Sequence, residues 1–360
     1  MNKLIIKNKT AEYPVIQGGM GVGISRSSLA GAVAAEKGVG IISTAQIGYD
    51  EEGFENNQAE CNLRAIEKHI KKAKEIAKGA GLVGVNIMVA LKHYKEHVKA
   101  AVKAGADVII CGAGLPVDLP DIVKKAAEEF QCKKEDIPAL APIVSSEKAA
   151  KIILKMWSKK YNQTADLLVI EGPKAGGHLG FSREQLSDIE HLDYEEEIKK
   201  IIACKKEYED RYQCKIPVAV AGGIYDKQDI EHVFSLGADA VQIASRFVAT
   251  YECDAAPEYK QAYINATPED IEIVQSPVGM PGRALHNKFI ERLETTRQTI
   301  KKCYQCLEKC NPAEVPYCIT KALTDAVKGD IDNGLIFCGA NVGRINKIMS
   351  VHELMHELCG

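Results

Sequence analysis

One histidine of the chain stands in a loop whose composition is suited to chemistry. Residues 171–180 read EGPKAGGHLG, so glycines precede and follow His178. An imidazole with an unperturbed pKa of about 6.5 exchanges protons readily near neutral pH. A loop histidine more often has no such role, but glycine costs chain entropy, so Gly176 and Gly177 indicate a backbone shaped around a ligand. We therefore predict that His178 is catalytic and that both glycines contact a cofactor.

Two earlier motifs place ligand-facing groups at the ends of apolar segments. Residues 17–21 read QGGMG, and successive glycines allow the backbone at Gly19 and Met20 to approach a flat ligand closely. The spacing does not match G-x-G-x-x-G, and a plain tight turn is the alternative. Asn86 lies in the apolar run GVNIM, where a buried amide needs a partner. That partner is neighbouring backbone or a ligand, and we favour the ligand.

Small residues recur in two later segments, in an order typical of a phosphate site. Residues 221–224 read AGGI, and residues 237–247 read GADAVQIASRF. The backbone N–H groups of Gly222, Gly223, Ala244 and Ser245 are suited to holding a phosphate dianion. Closure of a barrel by small residues is the alternative. Barrels usually place their phosphate site after the seventh and eighth strands, and we predict a phosphate site here.

Regular elements must position these motifs, and the chain alternates short apolar runs with longer charged segments of helical spacing. The runs are almost continuously apolar, as are parallel strands buried on both faces. Eight βα units in roughly 250 residues indicate an α/β fold of the (β/α)8 TIM-barrel type. A doubly wound sheet would carry its glycine motif after the first strand. The predicted strands are Pro14–Met20, Val39–Ala45, Leu82–Val89, Val108–Gly114, Ile137–Val144, Ala165–Gly172, Ile216–Ile224 and Ala240–Phe247.

The rhythm changes after residue 247, and we predict three parts. Residues 1–250 form the barrel, and residues 251–300 form a small inserted helical lobe over its mouth, read as loop, helix and loop because prolines interrupt the pattern. Residues 301–360 form a cysteine-rich C-terminal extension. Its last segment, near Ser350–Leu358, has the spacing of an amphipathic helix, which we expect to pack on the barrel.

The C-terminal extension contains a cluster of cysteines. Crowded thiols in a reducing compartment suggest a metal site more than disulfides. Cys303, Cys306, Cys310 and Cys318 follow the pattern C-x2-C-x3-C-x7-C, and we predict that they bind a [4Fe–4S] cluster or zinc. Cys338 is a candidate substitute for the fourth ligand. A set of reduced structural thiols is the alternative.

The composition argues against several classes of partner. Charged residues make up 26% of the chain and the formal net charge is −3, so no basic excess indicates nucleic acid binding. No apolar run reaches the roughly 18–20 residues of a membrane helix. The apolar stretch near the first residue is too short for the core of a signal peptide. We expect a cytoplasmic enzyme with a small-molecule substrate and neither nucleic acid nor membrane as a partner.

Taken together, the motifs resemble one enzyme family. QGGMG, GVNIM, EGPKAGGHLG, AGGI and GADAVQIASRF, in that order, and SPVGMPGRALHNKF at 276–289 are similar to the nitronate monooxygenases, a family that includes flavin-dependent enoyl-ACP reductases. The resemblance covers roughly residues 14–300. It implies a TIM barrel with FMN and a catalytic base at His178. It also implies FMN contacts from Met20, Asn86, Gly222, Gly223, Gln242 and Ser245.

The sequence departs from this pattern in two places. The family's loop commonly reads Glu-Ala-Gly-Gly-His, whereas this chain has Lys174 at the acidic position. The cysteine-rich extension lies outside the family's common core. Three functions stay open: oxidation of alkyl nitronates, NAD(P)H-dependent reduction of an enoyl thioester, and electron transfer through flavin and iron–sulfur centres. Assembly as a homodimer is open as well.

Overall fold

A computed structural model describes residues 1–360, and its central feature is a closed barrel of parallel strands. Eight strands join in the order β3-β4-β5-β6-β7-β8-β10-β11, and β11 pairs with β3 to close the circle. The strands are β1 (Leu4–Ile6), β2 (Lys9–Ala11), β3 (Val15–Gln17), β4 (Val39–Ser43), β5 (Leu82–Met88), β6 (Val108–Gly112), β7 (Ala139–Val144), β8 (Leu168–Glu171), β9 (Gly177–His178), β10 (Val218–Ala221), β11 (Ala240–Ile243), β12 (Ile271–Gln275) and β13 (Pro281–Leu285).

Helices follow the barrel strands and cover the outside of the barrel. The helices are α1 (Ser27–Ala35), α2 (Gln58–Ala77), α3 (Tyr94–Lys103), α4 (Leu119–Glu129), α5 (Glu147–Tyr161), α6 (Arg183–Ser187), α7 (Tyr194–Cys204), α8 (Lys206–Tyr212), α9 (Lys227–Ser235), α10 (Ser245–Val248), α11 (Pro257–Asn265), α12 (Lys288–Thr295), α13 (Ile319–Val327) and α14 (Val351–Cys359). The chain is therefore a (β/α)8 TIM barrel, which confirms the predicted fold class. None of the helices is both long enough and apolar enough to cross a membrane.

The amino end of the barrel is filled with side chains, so a ligand can enter only at the carboxyl end. Strands β1 and β2 form an antiparallel hairpin. Its buried Leu4, Ile6 and Ala11 belong to the same apolar cluster as interior barrel residues such as Ile16 and Ile41. Because all eight barrel strands are parallel, their carboxyl ends meet at the opposite rim, where the predicted ligand motifs stand.

Local sequence explains how the phosphate-site loop is fixed at this rim. Helix α9 follows strand β10 closely and begins at a capping box, in which the Asp226 side chain accepts from the Asp229 N–H and Asp229 reaches back to the Asp226 N–H. This cap sets the direction of the chain after residues 222 and 223. The predicted strand at residues 240–247 is divided: β11 ends at Ile243, and α10 begins at Ser245. The strand therefore ends at Ile243, and the next two residues, Ala244 and Ser245, lie at the rim.

The segment at 251–300 contains the helices α11 and α12 and also a β-hairpin. The loop–helix–loop prediction included neither the hairpin nor the second helix. Strands β12 and β13 pair antiparallel, and β13 also pairs with β9, so His178 lies on the edge strand of a small sheet. Prolines obscured this hairpin in the sequence. Pro281 is the first residue of β13, a position at which proline is tolerated in a strand.

The C-terminal extension packs on the barrel and ends in the expected amphipathic helix. Helix α14 packs against α1, α9 and α10 with its buried side, formed by Val351, Leu354, Met355 and Leu358. Between α13 and α14, residues 337–341 return to the barrel mouth. That the barrel, the lobe and the extension are three separate parts of the fold stays a prediction.

Candidate active site at the carboxyl ends of the barrel strands

A cavity opens at the carboxyl ends of the barrel strands, where residues from all the predicted motifs meet. The space between its walls measures about 1420 Å3 out to the open solvent. His178 lines it, together with the residues that we predicted to bind a cofactor: Gly19, Met20, Asn86, Gly176, Gly177, Gly222, Gly223, Gln242, Ala244 and Ser245. Segments more than 200 residues apart in the sequence therefore form one site.

The first motif brings the backbone that follows β3 close to Asn86 of β5 at the cavity wall. A Cβ atom on Gly19 would lie 2.4 Å from the Cβ of Asn86, so only glycine fits beside this asparagine. On the other side, the Gln242 Oε1 atom is buried and has no hydrogen-bond partner within the protein. A buried carbonyl oxygen without a donor is costly, and it is suited to accepting from an N–H of a bound ring. Gln242 and Asn86 would thus hold a flavin ring.

The predicted phosphate site is a cluster of free backbone donors. The N–H groups of Gly222, Gly223, Ala244 and Ser245 donate no hydrogen bond to other backbone groups. Gly222 has φ +97, and a Cβ there would lie 2.8 Å from the backbone nitrogen of Ala175. Converging N–H groups favour an anion. We call these four residues the phosphate cup, and they fit the phosphate of a flavin nucleotide.

The C-terminal extension closes the phosphate cup, which sequence reasoning missed. The Asn341 Nδ2 atom donates to the Gly223 carbonyl at 2.6 Å, and the Gly339 N–H donates to the Ser245 Oγ at 3.0 Å. The Ala340 N–H donates to the Lys174 carbonyl at 3.1 Å. A short Gly-Ala-Asn run was the only available signal, and it is too common to identify a wall of the site.

His178 is held by a partner from the inserted segment. Its Nε2 atom lies 2.7 Å from the Ser276 Oγ, and its ring meets the Phe337 ring edge-on at 5.0 Å between centroids. Burial lowers the pKa of His178 to about 4, so the imidazole is neutral at pH 7. Ser276 belongs to the SPVGMPG stretch, which the sequence singled out without assigning a role.

Further hydrogen bonds fix the position of Ser276. Ser276 Oγ also accepts from the Val278 N–H at 3.3 Å, and the neighbouring Gln275 carbonyl accepts from the Tyr317 hydroxyl at 3.3 Å. These contacts hold Ser276 in place beside the imidazole. Neutral imidazole has one protonated and one unprotonated ring nitrogen, and the unprotonated nitrogen can take a proton.

A second titratable group lines the cavity and was not predicted as a site residue. Glu171 is the last residue of strand β8, and burial raises the pKa of its carboxyl to about 7. Its backbone carbonyl accepts from the Tyr194 hydroxyl at 2.9 Å. A carboxyl with this pKa exchanges protons near neutral pH and is therefore a competing candidate for a base.

The predicted metal ligands lie near one another but not at ligand distances. Among the residues of the whole chain, the one group of three potential metal ligands within 4.8 Å is Glu272, His286 and Glu294, which includes no cysteine. Cys310 and Cys318 are close enough to Cys306 to raise the pKa of its thiol, after the larger effect of burial. Cys338, the candidate substitute, is buried and lines the cavity, whereas Cys303 is exposed. A cluster or zinc at Cys303, Cys306, Cys310 and Cys318 stays a prediction.

A barrel with a glycine-lined cavity, a phosphate cup and a half-buried imidazole at its carboxyl end has the architecture of an enzyme. Comparison with known proteins defines its class. The model of the nitronate monooxygenase family matches residues 2–360, and the chain belongs to this family. It is an oxidoreductase of a flavin-dependent family that acts on small molecules. The match includes the C-terminal extension, which corrects the expectation that the extension lies outside the common core.

Individual relatives agree with this assignment. A probable nitronate monooxygenase of Bacillus subtilis is 23% identical and covers 100% of this chain and 98% of its own length. The solved structure of FabK from Thermotoga maritima is 25% identical, with a TM-score of 0.69 over 97% of this chain and 92% of that one. Nitroalkane oxidase from Streptomyces ansochromogenes, at 18% identity and a TM-score of 0.69, covers 96% and 94% and shares the fold.

Proposed function

We propose that the protein is an FMN-dependent oxidoreductase that oxidises alkyl nitronates and their parent nitroalkanes, with His178 as the base. The observation that carries this proposal is the imidazole of His178 in the cavity wall, held at Nε2 by Ser276 and kept neutral at pH 7 because burial lowers its pKa to about 4. A neutral imidazole accepts a proton, whereas an imidazolium cannot. The name of the Bacillus subtilis relative supports the same chemistry.

The residues of the cavity have separate roles in the proposed reaction. The phosphate cup would bind the FMN phosphate, and Gln242 and Asn86 would orient the ring, which when bound supplies the acceptor for the substrate's electrons. His178 takes the proton from the carbon next to the nitro group onto its unprotonated ring nitrogen, which leaves a nitronate. Phe337 packs on the imidazole and limits its rotation, while the C-terminal extension shields the phosphate cup from solvent.

A second candidate function is NAD(P)H-dependent reduction of an enoyl thioester. The likeness to FabK, at 25% identity over 97% of the chain, favours it. The solved enoyl reductase domain of MlnA from Bacillus amyloliquefaciens shares the fold, at a TM-score of 0.63. The same cavity would then bind a thioester, and His178 would lie near its carbonyl. The electron-transfer hypothesis requires a metal centre at the cysteines, and no three of their sulfur atoms lie within 4.8 Å of one another in this structure.

One screen distinguishes the two candidates. Purified protein is supplied with nitroethane or its pre-formed nitronate without NADH, and separately with crotonyl thioester and NADH or NADPH. Oxygen consumption with the nitro compounds supports the first function. Loss of the enoyl absorbance that requires a nicotinamide nucleotide supports the second and contradicts the first. A cytoplasmic location and a homodimer stay predictions, and light scattering on the purified protein measures the latter.

A further inference from the structure

Lys174 stands at the edge of the phosphate cup on a fixed backbone. Its carbonyl accepts from the Ala340 N–H at 3.1 Å, and its neighbours Pro173 and Ala175 are buried, while Lys174 itself is exposed and lines the cavity. The loop is therefore anchored on both sides of this residue. The side chain is the part that faces the cavity mouth and solvent.

The stem of this side chain lies across one residue of the phosphate cup. A Cβ atom on Gly223 would lie 3.0 Å from both the Cβ and the Cδ of Lys174. The ammonium group is two bonds beyond Cδ, so it remains close to the Gly223 backbone in any rotamer of the last bonds. Gly223 also carries one of the free N–H groups of the cup.

Lys174 is the cation of the cavity that is not already paired. The other cationic side chain of the cavity wall, Arg246, donates to the Tyr225 carbonyl at 2.9 Å and to Glu357 at 3.0 Å. No ion pair within 4.0 Å involves Lys174. An unpaired lysine beside a group of backbone donors is suited to a phosphate, which carries a charge of about −1.5 to −2 at pH 7.

We propose that Lys174 is a cofactor-binding residue that supplies a positive charge to the flavin phosphate in the cup. This inference rests on the proposed FMN cofactor and deepens it. The family's loop commonly has glutamate here, so the charge at this position is reversed in this chain. Its consequence is that part of the preference for phosphorylated flavin depends on this one side chain, in addition to the backbone N–H groups of the phosphate cup.

Flavin titrations of the apoprotein test the proposal, because riboflavin lacks the phosphate and otherwise presents the same ring. Quenching of flavin fluorescence gives the Kd of FMN and of riboflavin for the wild type, Lys174→Met and Lys174→Glu. The control is Lys148→Met, an exposed lysine of α5 that does not line the cavity. We expect Lys174→Met to weaken FMN about fivefold, as for a charge-assisted contact near solvent, and to leave riboflavin unchanged.

The charge reversal gives a second, larger effect. Lys174→Glu replaces an attraction by a repulsion of similar size, so FMN affinity falls about 25-fold while riboflavin affinity still does not change. Added salt lowers FMN affinity more steeply in the wild type than in Lys174→Met. Equal losses for the two flavins, or no loss for either, would overturn the role of Lys174. A wild type that binds FMN no more tightly than riboflavin would overturn the FMN proposal itself.

Discussion

The base in the cavity can be identified by pH, because the two candidates have pKa values shifted in opposite directions. Burial lowers the pKa of His178 to about 4 and raises that of Glu171 to about 7. A base works only in its deprotonated form. For His178 that form is the neutral imidazole, which persists above about pH 4, and for Glu171 it is the carboxylate, which is lost below about pH 7.

The expected difference is large within a convenient range. At pH 5.5, about 97% of a group with the pKa of His178 is deprotonated, against about 3% for a group with that of Glu171. Between pH 7.5 and 5.5, kcat/KM for a neutral nitroalkane therefore stays nearly constant if His178 is the base. It falls about 25-fold if Glu171 is the base, and about tenfold for a histidine of ordinary pKa.

The assay is oxygen consumption with freshly diluted neutral nitroalkane, and pre-formed nitronate is the control that needs no base. We expect His178→Ala to keep its flavin and to lose about 10²–10⁴-fold on the nitroalkane, with a smaller loss on the nitronate. Glu171→Gln should retain the pH-independent rate. A tenfold or greater fall at pH 5.5, or equal losses on both substrates in His178→Ala, would refute His178 as a base of lowered pKa.

Further predictions concern the groups around this base. Heat-released chromophore should have the mass of FMN rather than FAD, because the phosphate cup has no counterpart for an adenylate. Ser276→Ala should lower nitroalkane turnover about tenfold at unchanged FMN affinity, since it frees the imidazole to rotate. Gly222→Ala should weaken FMN binding at least tenfold by titration, whereas Gly105→Ala, also at positive φ but in open space, should not. Metal analysis of anaerobically purified protein should find iron or zinc that Cys306→Ser loses, and less than one iron or zinc per chain in both proteins would contradict the cysteine site.

The barrel and the phosphate cup could be predicted because each depends on local sequence. The barrel strands are buried on both faces, so each is an apolar run that stands out from the charged helices around it. Gly222 and Gly223 end one of these runs, and Ala244 and Ser245 end the next. Parallel strands bring such ends together whatever the intervening sequence, so order along the chain sufficed.

The surroundings of His178 could not be predicted in the same way. Ser276 follows it by 98 residues, and Phe337 is farther still. The connection depends on the pairing of β9 with β13, a two-residue ladder without any pattern of its own. Contacts of this kind are set by how the inserted segment docks, and no single stretch of sequence records them.

The four cysteines of the C-terminal extension are neighbours, but part of their backbone is held by the barrel. The Cys306 carbonyl accepts from the Lys92 N–H at 3.1 Å, and Leu307 forms a β-bridge with Leu91, so this stretch follows a barrel loop. Burial raises the pKa of the Cys306 thiol to about 11, and the nearby Cys310 and Cys318 raise it as well. Cysteine spacing therefore predicted that these thiols lie in one region. The ligand geometry of a metal centre depends on how the chain between them turns, which the spacing alone does not record, and metal binding stays a prediction.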